Sequence, residues 1–126
     1  MILLTPRVLL VEDNSVLRNL YYRSLLSAGF AVMSAANEAQ IRELLAEFRP
    51  SIVLLDLDLP TVDYTDLMSV ITTPASGQPP VVIGVSGRDR DHIANIPVAH
   101  FLYKPVSLIT MTQLVRHLAV TQSDEA

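Results

Sequence analysis

Ser51-Ile52-Val53-Leu54-Leu55-Asp56-Leu57-Asp58-Leu59-Pro60 decides how the rest of the chain is read. An unbroken apolar run that ends in a carboxylate and is closed by a proline marks a short strand buried on both faces, as in a parallel sheet covered by helices. Asp56 then falls on the rim of that sheet, at the carboxyl end of its strand. Similar runs lie on either side. Arg7-Val8-Leu9-Leu10-Val11 leads into Glu12-Asp13-Asn14, and Phe30-Ala31-Val32-Met33-Ser34 reads as a second strand. Pro80 to Val85 reads as a fourth strand followed by Ser86-Gly87, and Phe101-Leu102-Tyr103 as a short fifth strand running into Lys104-Pro105.

Helical spacing fills the gaps. Asn14 is placed to cap a helix carrying Leu17, Leu20, Tyr21, Ser24 and Ala28, and Gly29 stands where a left-handed residue ends it. Asn37 caps a second helix whose apolar face is Ile41, Leu44, Leu45 and Phe48, stopped at Arg49-Pro50. Tyr64, Leu67, Met68 and Ile71 form a third stripe. Met111, Leu114, Val115 and Leu118, with Ser107 as cap, form the last. Residues 88–98 are polar and closed by Pro97. Strands alternating with helices imply an α/β domain: a doubly wound, five-stranded parallel sheet of order 2-1-3-4-5 with right-handed crossovers.

Composition narrows the function. The 126 residues, half of them hydrophobic, suit one domain, with a core over about 7–120 and residues 121–126 as a polar tail or the start of a linker. Mean hydropathy is +0.37, which excludes disorder. The net charge of −4 argues against direct nucleic-acid binding by this chain and against an anionic membrane surface. With no cysteine there is no disulfide framework, thiolate metal site or thiol nucleophile, as expected of a cytoplasmic protein. No apolar run approaches the roughly 20 residues of a membrane span, and the N-terminal run is too short for a signal peptide.

Open α/β sheets bind ligands beyond the carboxyl ends of their strands, where strands one and three diverge. That rim receives Glu12 and Asp13, Asp56 and Asp58, Ser86, and Lys104, the chain's single lysine. Each alone has a plain structural explanation as a cap, turn former or solvated side chain. Together they do not. Two carboxylates about 4 Å apart repel by roughly 4 kcal/mol at an effective dielectric near 20. Such a cluster calls for a cation or a proton, and oxygen ligands without His or Cys select a hard ion such as Mg2+. A divalent ion beside a carboxylate, an ammonium and a hydroxyl suits a phosphoryl group, which a carboxylate oxygen can accept as an acyl phosphate. His92, His100 and His117 lie off this rim; His117, near the end of the last helix, suits the helix dipole. Tyr21 and Tyr22 read as core and surface of the first helix.

The ordered set Val8–Asn14, Ile52–Pro60, Val85-Ser86-Gly87 and Phe101–Pro105 resembles the receiver domain of two-component response regulators over about residues 7–120. Its spacings are similar too: 43 positions from Asp13 to Asp56 and 30 from Asp56 to Ser86. The resemblance implies a flavodoxin-like, CheY-like fold. It implies a signalling phosphoprotein of a phosphorelay rather than an enzyme, with slow self-dephosphorylation at most. Asp56 corresponds to the phosphoacceptor, forming a 4-aspartylphosphate with phosphate drawn from a histidine kinase or histidine phosphotransfer protein. Asp13 and Asp56 correspond to Mg2+ ligands, with Glu12 beside the metal and Asp58 supplying its backbone carbonyl. Ser86 and Phe101 correspond to the switch pair and Lys104 to the phosphate-contacting lysine, followed by a proline that is often cis. The family's output face, through which homodimers form, comprises the helix between strands four and five, strand five and the last helix.

Three departures bear on this, one being Pro97, which falls near where the family commonly has glycine before strand five. Tyr64 stands where the family usually has glycine, so the loop after strand three is expected to be reshaped. Only 18 positions separate Ser86 from Lys104, so the helix between strands four and five is expected to be short or irregular. Asp58 and Arg88, which flank the acceptor, are candidates for setting phosphate lifetime. Two alternatives stand beside the receiver reading. One is a receiver-like scaffold that works without phosphate. The other rests on Asp56-Leu57-Asp58, which is similar to the Asp-x-Asp motif of haloacid-dehalogenase-like phosphatases.

Overall fold

The computed structural model describes residues 5–75, 77–89 and 95–125. Among the described residues five strands and four helices follow in order: β1 (Arg7–Val11), α1 (Ser15–Ser27), β2 (Ala31–Ala35), α2 (Glu38–Glu47), β3 (Ile52–Asp56), α3 (Tyr64–Thr72), β4 (Val81–Ser86), β5 (His100–Tyr103) and α4 (Leu108–Glu125). All strands are parallel, in the order β2-β1-β3-β4-β5. This is the expected doubly wound sheet.

Side chains alternate across a strand, so an apolar strand must bury two faces. Val8, Leu10, Ile52, Leu54, Ile83 and Val85 face α1 and α4, where Tyr21, Leu25, Met111 and Val115 cover them. Leu9, Val11, Val53, Leu55 and Val82 face the other way, onto Ile41 of α2 and Leu67, Met68 and Ile71 of α3. The first face sets the register of the rim. Val11 pairs with Leu55 across β1 and β3, so the next residues, Glu12 and Asp56, emerge side by side on the α1/α4 face.

The helix ends follow local chemistry. Asn14 Oδ1 accepts from the amides of Val16 and Leu17, and Asn37 Oδ1 from that of Gln40. Gly29 adopts φ +98°, and the Phe30 and Gly29 amides donate to the carbonyls of Leu25 and Leu26, a Schellman ending that needs a left-handed residue. α2 stops where Arg49 turns left-handed (φ 52°) before Pro50, and Arg7 Nε donates to its carbonyl.

Four expectations need correction. Leu20 is not core: it is 46% exposed, and the α1 stripe runs instead through Tyr21 and Leu25. Its spacing is helical, but Leu17, Leu20 and Tyr21 fall within little more than one turn and compete for one buried face. Ser86 is the last residue of β4 rather than the first beyond it. The polar end of the chain is helical, because α4 continues through Glu125. His117 therefore lies in the body of α4, away from its terminus. Between β4 and β5 no helix is present among the described residues, while the core of the expected short helix, with His92, falls at 90–94 and lies outside them.

Leu25 is fully buried and Leu20 is not, so the two leucines of one helix should differ sharply. Leu25→Ala is expected to cost about 2–5 kcal/mol, and Leu20→Ala less than about 0.5 kcal/mol, as measured by urea unfolding of the two variants.

Candidate functional site

The carboxyl ends of β1, β3, β4 and β5 converge on one pocket of charge. Ligand oxygens of Glu12, Asp13 and Asp56 all lie within 4.8 Å of one another. Glu12 and Asp56 are each only 2% exposed, whereas Asp13 is open to solvent. Arg18 reaches back from α1 and donates to the carbonyls of Glu12 and Asp13 at 3.0 and 3.3 Å, fixing the backbone that carries the acid pair. Lys104 enters from beyond β5. Its Nζ donates to Asp56 Oδ1 at 3.1 Å and lies 3.8 Å from Glu12 Oε2 and 3.7 Å from Asp58 Oδ2. The Lys104–Pro105 bond is cis, as the resemblance implied.

Charge states follow from this crowding. Burial, together with the neighbouring Asp56 carboxylate, pushes the Glu12 carboxyl up to about 8. Burial alone would lower Lys104, but the Asp56 carboxylate, with Glu12 and Asp58, outweighs it and holds the ammonium above its ordinary value. The cluster thus combines one cation with a Glu12 carboxyl that holds its proton more tightly than usual. Three carboxylates with no nitrogen or sulfur donor fit a hard divalent cation, and Glu12, Asp13 and Asp56 are the residues that could hold one.

Asp58 does more than the family resemblance implied. Its side chain is turned inward: Oδ1 accepts from Ser86 Oγ at 2.7 Å, and Oδ2 from the Gly87 amide at 2.9 Å. Burial pushes this carboxyl up, but the Gly87 amide, the Ser86 hydroxyl, Lys104 and Arg88 together hold it below its ordinary value. Arg88 Nε is 3.8 Å away on a largely exposed side chain, where an ion pair adds little. Phe101 is half-buried against the α2/α3 core, with its ring edge-to-face with Tyr103 at 4.6 Å. It does not touch the charged rim through any hydrogen-bonding group, so any link to Ser86 runs through packing.

Tyr64 is the residue whose part the sequence concealed. Its hydroxyl donates to the Asp56 carbonyl at 2.6 Å and accepts from the Leu59 amide at 2.9 Å. Burial pushes the phenol well above its ordinary value, so it stays a donor throughout the neutral range. The turn is stitched together around the tyrosine. Gly84 also matters here: a Cβ on it would lie 2.7 Å from Leu57 Cδ1 and 3.1 Å from Val98 Cγ2, so the turn residue Leu57 packs on a bare stretch of β4.

Residues 8–116 match the family model described as the response regulator receiver domain. The chain belongs to that family. This receiver domain is 27% identical over 116 residues to the transcriptional regulatory protein PrrA of Mycobacterium tuberculosis, an alignment covering 90% of this chain and 50% of that protein. It thus spans about half the length of the curated relatives it matches. Its fold is shared with the CheY-like receiver domain protein from Methanospirillum hungatei (20% identity, 97% of this chain and 99% of that one, TM-score 0.83). The receiver domain of the sensor histidine kinase PA1611 from Pseudomonas aeruginosa aligns with a TM-score of 0.80 at 22% identity, over 92% of this chain and 98% of that one. It is described with a magnesium ion coordinated in the active site cleft. Family membership displaces the haloacid-dehalogenase-like alternative.

The Glu12 environment predicts a pH signature in metal-free buffer. A carboxyl near 4.5 in the unfolded chain and near 8 in the fold binds more protons when folded, so stability falls as pH rises between those values. Glu12→Gln, which cannot ionise, is expected to flatten that decline. Chemical denaturation at pH 5 and pH 9 checks it: parallel curves for wild type and variant would contradict the assignment.

Proposed function

We propose that this receiver domain accepts a phosphoryl group on Asp56 from a histidine kinase or a histidine phosphotransfer protein. The observation that carries this reading is the convergence of the Lys104 ammonium, 3.1 Å from Asp56, with the acid cluster of Glu12, Asp13 and Asp56. An Asp56 carboxylate oxygen forms the new bond to phosphorus while the donor's nitrogen leaves, and the product is an acyl phosphate. Mg2+, held by Glu12, Asp13, Asp56 and the Asp58 backbone carbonyl, supplies charge neutralisation to the transferring group when bound. Lys104, already in contact with Asp56 Oδ1, is in reach of the oxygens that arrive. The domain works as a cytoplasmic signalling module over residues 1–126, with no turnover beyond slow self-dephosphorylation and no nucleic-acid contact of its own.

Asp58 gives the resting state a definite character. It occupies the Ser86 hydroxyl and the Gly87 amide, two donors on the rim where phosphate would bind. A phosphoryl group of about −1.5 to −2 charges must compete with that carboxylate. Its arrival would free Ser86 to turn toward phosphate and leave room for Phe101 to repack. The edge made by β4, β5 and α4 would thus shift between two packings. Tyr103 and Ile109 are exposed along this edge, which is the face proposed for contacts, including those between copies of the chain.

Incubation with acetyl phosphate and Mg2+ is expected to add one phosphoryl mass to the wild type and none to Asp56→Asn, and chelation of the metal should abolish the gain. An unmodified wild type would favour the phosphate-independent scaffold. Asp58→Asn is expected to label about 3- to 10-fold faster, because it removes a like charge facing the incoming dianion. An unchanged or slower rate would assign Asp58 to structure alone.

A further inference from the structure

The turn after β3 carries Asp56 and Asp58, and its peptide planes are held by one phenol. The Leu57 amide donates to the Val85 carbonyl at 2.8 Å, and the Asp56 carbonyl accepts from Tyr64 at 2.6 Å. A trans peptide is planar, with its N–H and C=O opposed, so the unit joining residues 56 and 57 is fixed at both ends. The Leu59 amide donates to the same hydroxyl at 2.9 Å. The Asp58 carbonyl belongs to that peptide unit and is therefore turned away from the tyrosine. Between the two anchored planes, the Asp58 amide donates to Asp56 Oδ1 at 2.9 Å. Backbone and acceptor carboxylate are thus set by one connected group of hydrogen bonds.

Local sequence explains how the phenol reaches this point. Tyr64 opens α3, where Asp63 caps the helix by accepting from the Asp66 amide at 3.1 Å. Its ring packs on the α2/α3 core, and its hydroxyl projects under the turn. A glycine at this position would offer neither ring nor hydroxyl.

We propose that Tyr64 is a positioning residue for divalent-cation binding and phosphoryl transfer, its hydroxyl holding the Asp56 and Asp58 carbonyls in their working directions. This rests on the phosphoacceptor reading above. Phenylalanine keeps the ring but leaves the Asp56 carbonyl and the Leu59 amide without that partner, so the turn samples other orientations.

The test compares wild type, Tyr64→Phe and Ile41→Val. The last loosens the core from α2, which contributes nothing to the cluster. Mg2+ alone is titrated calorimetrically into each metal-free chain, and initial rates of acetyl phosphate labelling are followed against Mg2+ concentration. Tyr64→Phe is expected to bind Mg2+ roughly 5- to 10-fold more weakly, about the worth of one hydrogen bond. Its labelling should slow at low Mg2+ and recover when Mg2+ saturates. Ile41→Val should lower the denaturation midpoint and leave Mg2+ affinity unchanged. Wild-type Mg2+ affinity in Tyr64→Phe, or equal weakening in Ile41→Val, would overturn the proposal. If Tyr64→Phe weakens Mg2+ binding while the wild type takes no phosphate, the positioning role stands and the phosphoacceptor reading falls. A wild type that binds no Mg2+ removes both.

Discussion

The structure turns on one electrostatic constraint: buried carboxylates must face a single ammonium. Glu12 and Asp56 emerge side by side because β1 and β3 are adjacent and in register, and Lys104 spans the gap to both. Like charges this close are tolerable only with a cation or a proton between them. Lys104 supplies part of that compensation and a raised Glu12 carboxyl adds to it without completing it. The domain is therefore built with an excess of negative charge at its rim. That excess opposes stability and favours binding a divalent ion.

The same rim holds a second, separate carboxylate. The Asp58 side chain takes a hydroxyl and a backbone amide that the acid cluster does not use, while sharing Lys104 with it. Ser86 and Asp58 approach from one face of the sheet, Glu12 and Asp56 from the other, and Lys104 touches both sets. A change in charge at Asp56 would be felt at Ser86 through Lys104 and Asp58, without any rearrangement of the core strands. The turn that joins Asp56 to Asp58 is correspondingly rigid, anchored by Tyr64 below and by Leu57 lying on Gly84.

Much of this was legible in the chain itself. Strand order, the acid pair, Asp56 at the end of its strand, the hydroxyl and the lysine all follow from apolar runs and from the residues that end them, because a strand buried on both faces leaves little choice of composition. The caps at Asn14 and Asn37 and the ending at Gly29 are equally local. Leu20 misled because helical spacing defines a stripe but not which edge of it the sheet covers. Tyr64 misled differently. Read as a departure from a glycine, it suggested a distorted loop, but its hydroxyl satisfies two backbone groups that the turn would otherwise leave to water. Tyrosine five positions beyond Leu59 gives no periodic signal of that kind.

Hydrophobic period and strand-end chemistry alone determined an α/β sheet with a carboxylate-rich rim, since each depends only on neighbours along the chain. Which carboxyl burial raises, which donors Asp58 takes and what Tyr64 holds were decided by tertiary structure. Those pairings join residues 28 to 92 positions apart or depend on the direction of single peptide planes. The separations between them, from 2.6 to 3.8 Å, set charge and hydrogen bonding, and no one-dimensional pattern records such distances.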